Sequence, residues 1–214
     1  MKVQIKTLFS ISLLGLLFFT SCKKDPIEFT INGTLEDNSF ETRLSGAEVT
    51  LTAVSSGSGD TRVVGTQKVG TDGKYSITFT RERDTKFYIN IEKNNYYPIE
   101  ETIYFSELSV SEENTYDYST FAKANINFII KNTGTATVND ELKLEIYEAK
   151  TNCDECCTLG QRFFYGENID TSFTCANNGN KYYKFIYWDT QMGSVTFDSI
   201  VTPSFGTVDY LIEY

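Results

Sequence analysis

Apolar residues fall at every second position in four successive stretches: Ile27, Phe29 and Ile31; Val49, Leu51 and Ala53; Tyr75, Ile77 and Phe79; Phe87, Ile89 and Ile91. A strand turns successive side chains to opposite sides, so this spacing makes one apolar and one polar face, which a helix cannot do. The four runs predict antiparallel strands that each bury one side. Between them lie Asp37-Asn38-Ser39, the tract Ser55 to Asp60 and Thr71-Asp72-Gly73-Lys74, all of loop character. Asp72-Gly73 is the sharpest turn signal, because glycine takes a positive φ without a steric penalty. With 14 tyrosines and 16 phenylalanines against three prolines in 214 residues, the composition also favours strands.

After a boundary near Ser119–Ala122 the alternation resumes with Ala124, Ile126, Phe128 and Ile130, ending at the turn Asn132-Thr133-Gly134-Thr135. Leu142, Leu144 and Ile146 read as a strand because their neighbours alternate, although Leu142, Ile146 and Ala149 would also line a helix face after Asn139-Asp140. Tyr116, Tyr118 and Thr120 suit a closing strand of the first half. Further strands are expected around Gln161–Tyr165, Ile169–Cys175, Lys181–Asp189, Val195–Val201 and Thr207–Tyr214. The expected fold class is all-β: two tandem antiparallel β-sandwiches, residues 27–121 and 122–214.

The segment ahead of them has a different logic. Lys2 and Lys6 precede an apolar run from Leu8 to Phe19, whose 12 residues are too few to cross a ~30 Å bilayer core at ~1.5 Å per residue. It reads as a signal peptide, residues 1–21. Its end, Thr20-Ser21-Cys22, resembles the lipobox of bacterial lipoproteins, with Phe19 where leucine is usual. The resemblance implies diacylglycerol on the Cys22 sulfur and cleavage before Cys22, so that the membrane partner is reached through lipid. Two or three acyl chains hold a protein durably where one does not. Residues 22–26 form a short polar tether, and the absence of Asp at position 23 implies, by the same resemblance, outer-membrane localisation on a leaflet face that the tether leaves open.

Residues 27–121 also resemble the carboxypeptidase regulatory-like family, a transthyretin-like β-sandwich with a carbohydrate-binding-like fold. The matching positions are Ile31-x-Gly33-Thr34-Leu35, Leu44-Ser45-Gly46-Ala47-x-Val49-x-Leu51, Gly65-Thr66, Asp72-Gly73-Lys74-Tyr75 with Ile77 and Phe79, and Phe87-x-Ile89-x-Ile91 leading to Tyr96. Asn95 stands where the family has glycine before Tyr96; asparagine tolerates left-handed geometry, so the turn survives. The resemblance implies a domain that sits beside peptidases, transporters or adhesins without doing chemistry itself.

The chain carries a net charge of −10, and removal of residues 1–21 takes two lysines and no acid, leaving −12. Nucleic acid is thereby excluded as a partner. There is no histidine, which removes Ser-His-Asp and Cys-His nucleophile systems, histidine metal ligands and the usual neutral-pH base. Paired carboxylates would remain for glycoside hydrolysis, but small tandem sandwiches offer no deep cleft for them. No cofactor, catalytic set or metal centre is expected; the loop acids Asp37-Asn38, Asn139-Asp140-Glu141 and Asp154-Glu155 lack the ligand spacing of a calcium loop. Beyond Cys22, four cysteines remain in a compartment that permits disulfides. Cys153, Cys156, Cys157 and Cys175 are expected to form two: Cys156 or Cys157 with Cys175, and Cys153 locally, since a vicinal Cys156–Cys157 bridge is strained.

Two aromatic groups are candidate ligand platforms: Tyr96-Tyr97, and the strand Lys181–Asp189, which places Tyr183, Phe185 and Tyr187 on one face and Tyr182, Ile186 and Trp188 on the other. Both faces apolar suggests a central strand, or one covered by the first domain. Trp188 with a neighbouring tyrosine such as Tyr187, and Asp189 as hydrogen-bonding partner, would suit a sugar ring or a partner's side chain. The expected function is a non-enzymatic, lipid-anchored interaction or accessory module of the cell envelope, beside an outer-membrane protein partner in transport or adhesion; the alternative is a carbohydrate-binding surface lipoprotein whose partner is a glycan.

Overall fold

The computed structural model describes residues 26–110, 112–133, 137–190 and 192–214. The expected signal segment, the lipidation site Cys22 and the tether up to Asp25 lie outside the described residues, as does part of the turn after Asn132. The first half contains β1 (Glu28–Asp37), β2 (Thr42–Arg43), β3 (Glu48–Ser55), β4 (Thr61–Lys68), β5 (Lys74–Thr80), β6 (Asp84–Glu92), β7 (Ile99–Tyr104), a 3₁₀ turn at Phe105–Glu107, β8 (Asn114–Thr115) and β9 (Tyr118–Thr120). The second contains β10 (Lys123–Lys131), β11 (Glu141–Glu148), β12 (Gly160–Tyr165), β13 (Asp170–Asn178), β14 (Lys181–Asp189), β15 (Ser194–Thr202) and β16 (Thr207–Glu213). The segment holding Leu142, Leu144 and Ile146 is a strand, not a helix.

Sheet β4-β3-β6-β7 packs on a sheet built around β1 and β5, and sheet β12-β11-β14-β15 packs on β13-β10-β16. The alternating residues meet in two cores: Ile31, Leu35, Leu51, Phe87 and Ile89 in the first, and Ile126, Phe128, Leu142, Tyr183 and Phe185 in the second, all fully buried. Two pairings depart from the purely antiparallel expectation, since β1 runs parallel to β8 and β9, and β10 runs parallel to β16. Alternation reports which face is buried and is silent on strand direction. At the β4–β5 turn Gly73 takes φ +75°, where a Cβ would lie 2.8 Å from that of Arg43.

Only Phe121 and Ala122 separate β9 from β10, and their backbone is tied on both sides. The Tyr97 amide donates to the Phe121 carbonyl at 3.1 Å, the Gly179 amide to the Ala122 carbonyl at 2.8 Å, and the Ala122 amide to the buried Ser39 hydroxyl at 2.9 Å. Asn95 holds φ +64° and its carbonyl accepts the Lys123 amide at 2.7 Å, so this left-handed residue serves the joint directly. From the other side the β15–β16 turn projects Phe205. Its ring stacks on Phe40 at 6.0 Å and meets Tyr96 edge-on at 5.4 Å, while Asn180 Nδ2 donates to the Ser39 carbonyl at 3.1 Å.

Phe205 sits at φ +64°, a left-handed conformation that costs a side chain with a Cβ ~1–2 kcal/mol. The aromatic contacts and the bond from its amide to the Lys123 carbonyl, 2.8 Å, hold it there. Phe205→Ala keeps the unfavourable φ and loses both ring contacts, so it destabilises the protein; Phe205→Gly, which loses the same contacts without the strain, will unfold about 1 kcal/mol later than the alanine variant in urea titrations.

Candidate functional site

Strand β14 lies centrally, between β11 and β15. Tyr183 and Phe185 fill the second core, and Tyr187 packs against it from the same side. Asp189 follows the same parity: it is buried and accepts the Met192 amide at 3.1 Å. Trp188 therefore points the opposite way from both Tyr187 and Asp189. The expected grouping of Trp188, Tyr187 and Asp189 is corrected by this geometry: the structure does not bring the three together, because adjacent residues of a strand face opposite sides of its sheet.

Trp188 instead belongs to the outer face of sheet β12-β11-β14-β15. Register places Phe163, Lys143, Trp188 and Val195 in one row across four strands, and Gln161, Glu145, Ile186 and Phe197 in the next. Tyr165 and Tyr182 extend it at the ends, with Val201 opposite Tyr182. Phe163, Tyr165, Tyr182, Val195, Phe197 and Val201 are 44 to 72% exposed. Phe163 and Tyr165 lie nearly parallel with ring centroids 6.0 Å apart. Contiguous apolar surface of this kind marks a site of contact more often than a scattering of single residues does.

Strand β15 explains why this face is apolar. Its apolar positions 195, 197 and 201 face solvent, whereas Thr196, Asp198, Ile200 and Thr202 turn inward. The inward Asp198 is tolerated because the Tyr210 hydroxyl donates to it; burial and that bond push the tyrosine's pKa up. The polar groups on the face are engaged with one another. Lys143 Nζ lies 3.9 Å from the Trp188 ring centroid and 3.7 Å from Glu145 Oε2, which also accepts Gln161 Nε2 at 2.9 Å. Lys184 pairs with Glu148 at 2.7 Å. The face is thus an aromatic sheet surface whose charges, Lys143 and Lys184 against Glu141, Glu145 and Glu148, nearly balance.

Tyr96 and Tyr97 form no platform. Tyr96 is buried and donates its hydroxyl to Asp37 at 2.7 Å; Tyr97 donates to the Asn177 carbonyl at 3.0 Å and is covered by Lys150 Nζ at 4.3 Å. Burial, with Glu155 nearby, pushes the Tyr97 hydroxyl up to about 12, so it remains a donor at any physiological pH. The loop acids have structural duties. Asp37 also accepts the Ser39 amide at 2.8 Å, and Asp140 accepts the Thr137 amide and hydroxyl and Asn132 Nδ2, which hold its carboxyl below the usual range. Among the described residues no three acids or cysteines converge on a metal position. A cleft of about 720 Å³ opens beside the joint, lined by Lys68, Lys93 and Lys123 with Glu48, Glu92 and Tyr96. Its three lysines and two glutamates leave a single net positive charge around an open cleft.

The cysteines form Cys153–Cys156 and Cys157–Cys175, each with Cα atoms 5.1 Å apart. The second ties the β11–β12 loop to β13, where the Ala176 amide donates to the Glu155 carbonyl at 2.9 Å and Asn177 Oδ1 accepts the Lys150 amide at 3.0 Å. That loop is thereby held against Tyr97 and the joint.

No family profile and no curated protein matches this chain. Among solved structures it is similar to the Bacillus anthracis TIE protein (14% identity, 87% of this chain and 34% of that one, TM-score 0.37). It is also similar to hydroxyquinol 1,2-dioxygenase from Pseudomonas putida DLL-E4 (10%, 47% and 58%, 0.34) and a streptococcal ancillary pilin (12%, 88% and 63%, 0.35). The chain spans between about a third and just under two thirds of these proteins' lengths. These likenesses accompany the all-β architecture and assign no activity, ligand or partner.

Loop-closure entropy favours the longer bridge. Replacing Cys157 and Cys175 together by serine will cost about 3 kcal/mol, and the same exchange at Cys153 and Cys156 about half of that, read as urea midpoints at equal slope.

Proposed function

We propose that this protein is a non-enzymatic interaction module of the cell envelope, anchored through lipid on Cys22 and contacting an outer-membrane protein partner through the outer face of sheet β12-β11-β14-β15. In this reading residues 27–121 are a carboxypeptidase regulatory-like domain that spaces the contact domain, residues 122–214, from the membrane. The observation that carries it is the row of exposed rings on that face, in a chain whose other apolar side chains are mostly gathered into two cores. Burying such rings against a partner yields ~25 cal/mol per Å² of apolar area removed from water, and well-packed aromatic anchors supply much of the affinity of protein interfaces. The absence of histidine and the openness of the cleft beside the joint support a role without chemistry.

A photoreactive phenylalanine analogue in place of Phe163, in intact cells, tests this. The expected result is a membrane-protein adduct that does not form when the analogue replaces Tyr104, which is equally open but lies on the first sandwich. No adduct, or the same products from both positions, would contradict the proposal.

A second reading, glycan binding by the same face, is supported by the polar groups of Lys143, Glu145 and Gln161 interleaved with Phe163 and Trp188. Sugar rings stack on aromatic faces while such groups take their hydroxyls. Under this reading Trp188→Ala weakens binding on a glycan array at least tenfold. Unchanged binding, or none at millimolar glycan, would end it.

A further inference from the structure

Natural sheets protect their edges with charges, prolines, bulges or short strands, because open backbone groups template pairing with another chain. Among the described residues the other long edge strands carry charges: β4 has Arg62 and Lys68, β5 has Lys74, β7 has Glu100 and Glu101, β13 has Asp170, and β16 has Asp209 and Glu213; β12, six residues long, has Arg162, turned inward onto the Phe173 ring. β15 runs for nine residues in unbroken register with β14, has no proline, and places no charge on its outer face. Its single acid, Asp198, is turned inward to Tyr210, and the acids of β16 lie on the opposite outer surface, beside Asn127.

The Ser199 amide donates to Asp198 Oδ1 at 2.7 Å. The Thr190 amide bond to the Glu141 carbonyl turns the even residues of β14 to β11 and the odd ones to β15, so the register directs the amides of residues 195, 197, 199 and 201 to the open edge. We infer that β15 pairs antiparallel with β15 of a second copy of this chain, joining two four-stranded sheets into one of eight strands. A two-fold axis normal to the sheet keeps like faces together and must pass through a residue. An axis at Asp198 would set two carboxylates opposite each other, which is unfavourable. An axis at Phe197 pairs residues 194–200 with their counterparts. Phe197 then meets its own symmetry mate, Val195 meets Ser199, and Thr196 offers its hydroxyl toward Asp198. A second copy is favoured over an unlike partner by this self-complementarity and by the absence of charge on the outer side of the strip, where two acidic chains would meet without opposed charges. Asp198 occupies the Ser199 amide in the single chain and releases it to the Val195 carbonyl of the other copy.

The edge borders the outer face used in the proposed function and shares Phe197 with it, but Phe163 lies on β12 at the far side of the sheet, so linkage at position 197 and adducts at position 163 report the two proposals separately. In a hydrogen-bonded antiparallel pair opposed Cα atoms lie ~5.5 Å apart, within the ~4.4–6.8 Å that a disulfide spans. Phe197→Cys in the full chain in intact cells should therefore give a disulfide-linked homodimer on non-reducing gels. Val201→Cys, whose two copies are separated by eight residues of strand or ~27 Å, should give at least tenfold less. Light scattering of the purified full chain should show a dimer for the natural sequence and a monomer for Phe197→Lys. Phe197 is 72% exposed, so lysine leaves the fold intact. Equal linkage at both cysteine positions, linkage of Phe197→Cys to a different protein, or a natural chain monomeric at all concentrations would overturn the inference.

Discussion

The structure depends on the backbone of Phe121 and Ala122. Two residues are too few to form a flexible connection, and their polar groups are satisfied by opposite halves of the molecule: Tyr97 and Ser39 on one side, Gly179 on the other. Buried amides and carbonyls left without partners would cost ~1–3 kcal/mol each, so the joint holds only while both halves stay docked. The hydrophobic cores stabilise each sandwich separately. The joint makes them one object, and Phe205, Tyr97 and the disulfide-bound loop close around it from three directions.

Docking at the joint decides what remains exposed. The first sandwich meets the second at the loop end of β13 and the β15–β16 turn, leaving sheet β12-β11-β14-β15 open along its outer side. Core packing of Tyr183 and Phe185 sets the register of β14, and pairing then forces β15 to present Val195, Phe197 and Val201 to water while Asp198 is accommodated inside by Tyr210. An aromatic surface is thus carried at a defined position relative to the first sandwich.

The two cores were legible because alternation at Phe29, Ile31, Val49, Leu51, Ile126 and Phe128 states the buried side outright. Edge strands were harder. β4 buries neither side fully and β7 carries consecutive glutamates, so neither shows clean alternation. The opposition of Trp188 to Asp189 follows from strand parity alone and was available before any coordinates. The outward face of β15 was not: apolar positions in a strand normally mark the core, and here tertiary pairing overrides that rule. The parallel placement of β16 beside β10 likewise depends on chain path, on which residue pattern is silent.

Hydroxyl-radical footprinting read by mass spectrometry, on intact envelopes and on the purified chain, tests most directly whether this surface is a contact face. The account predicts that Phe163, Tyr165 and Trp188 are oxidised several-fold less in the envelope, while Tyr104 on the first sandwich and Leu211 on the opposite side of the second, both about half exposed, are oxidised equally in the two samples. Equal oxidation of the aromatic face in both samples would contradict it.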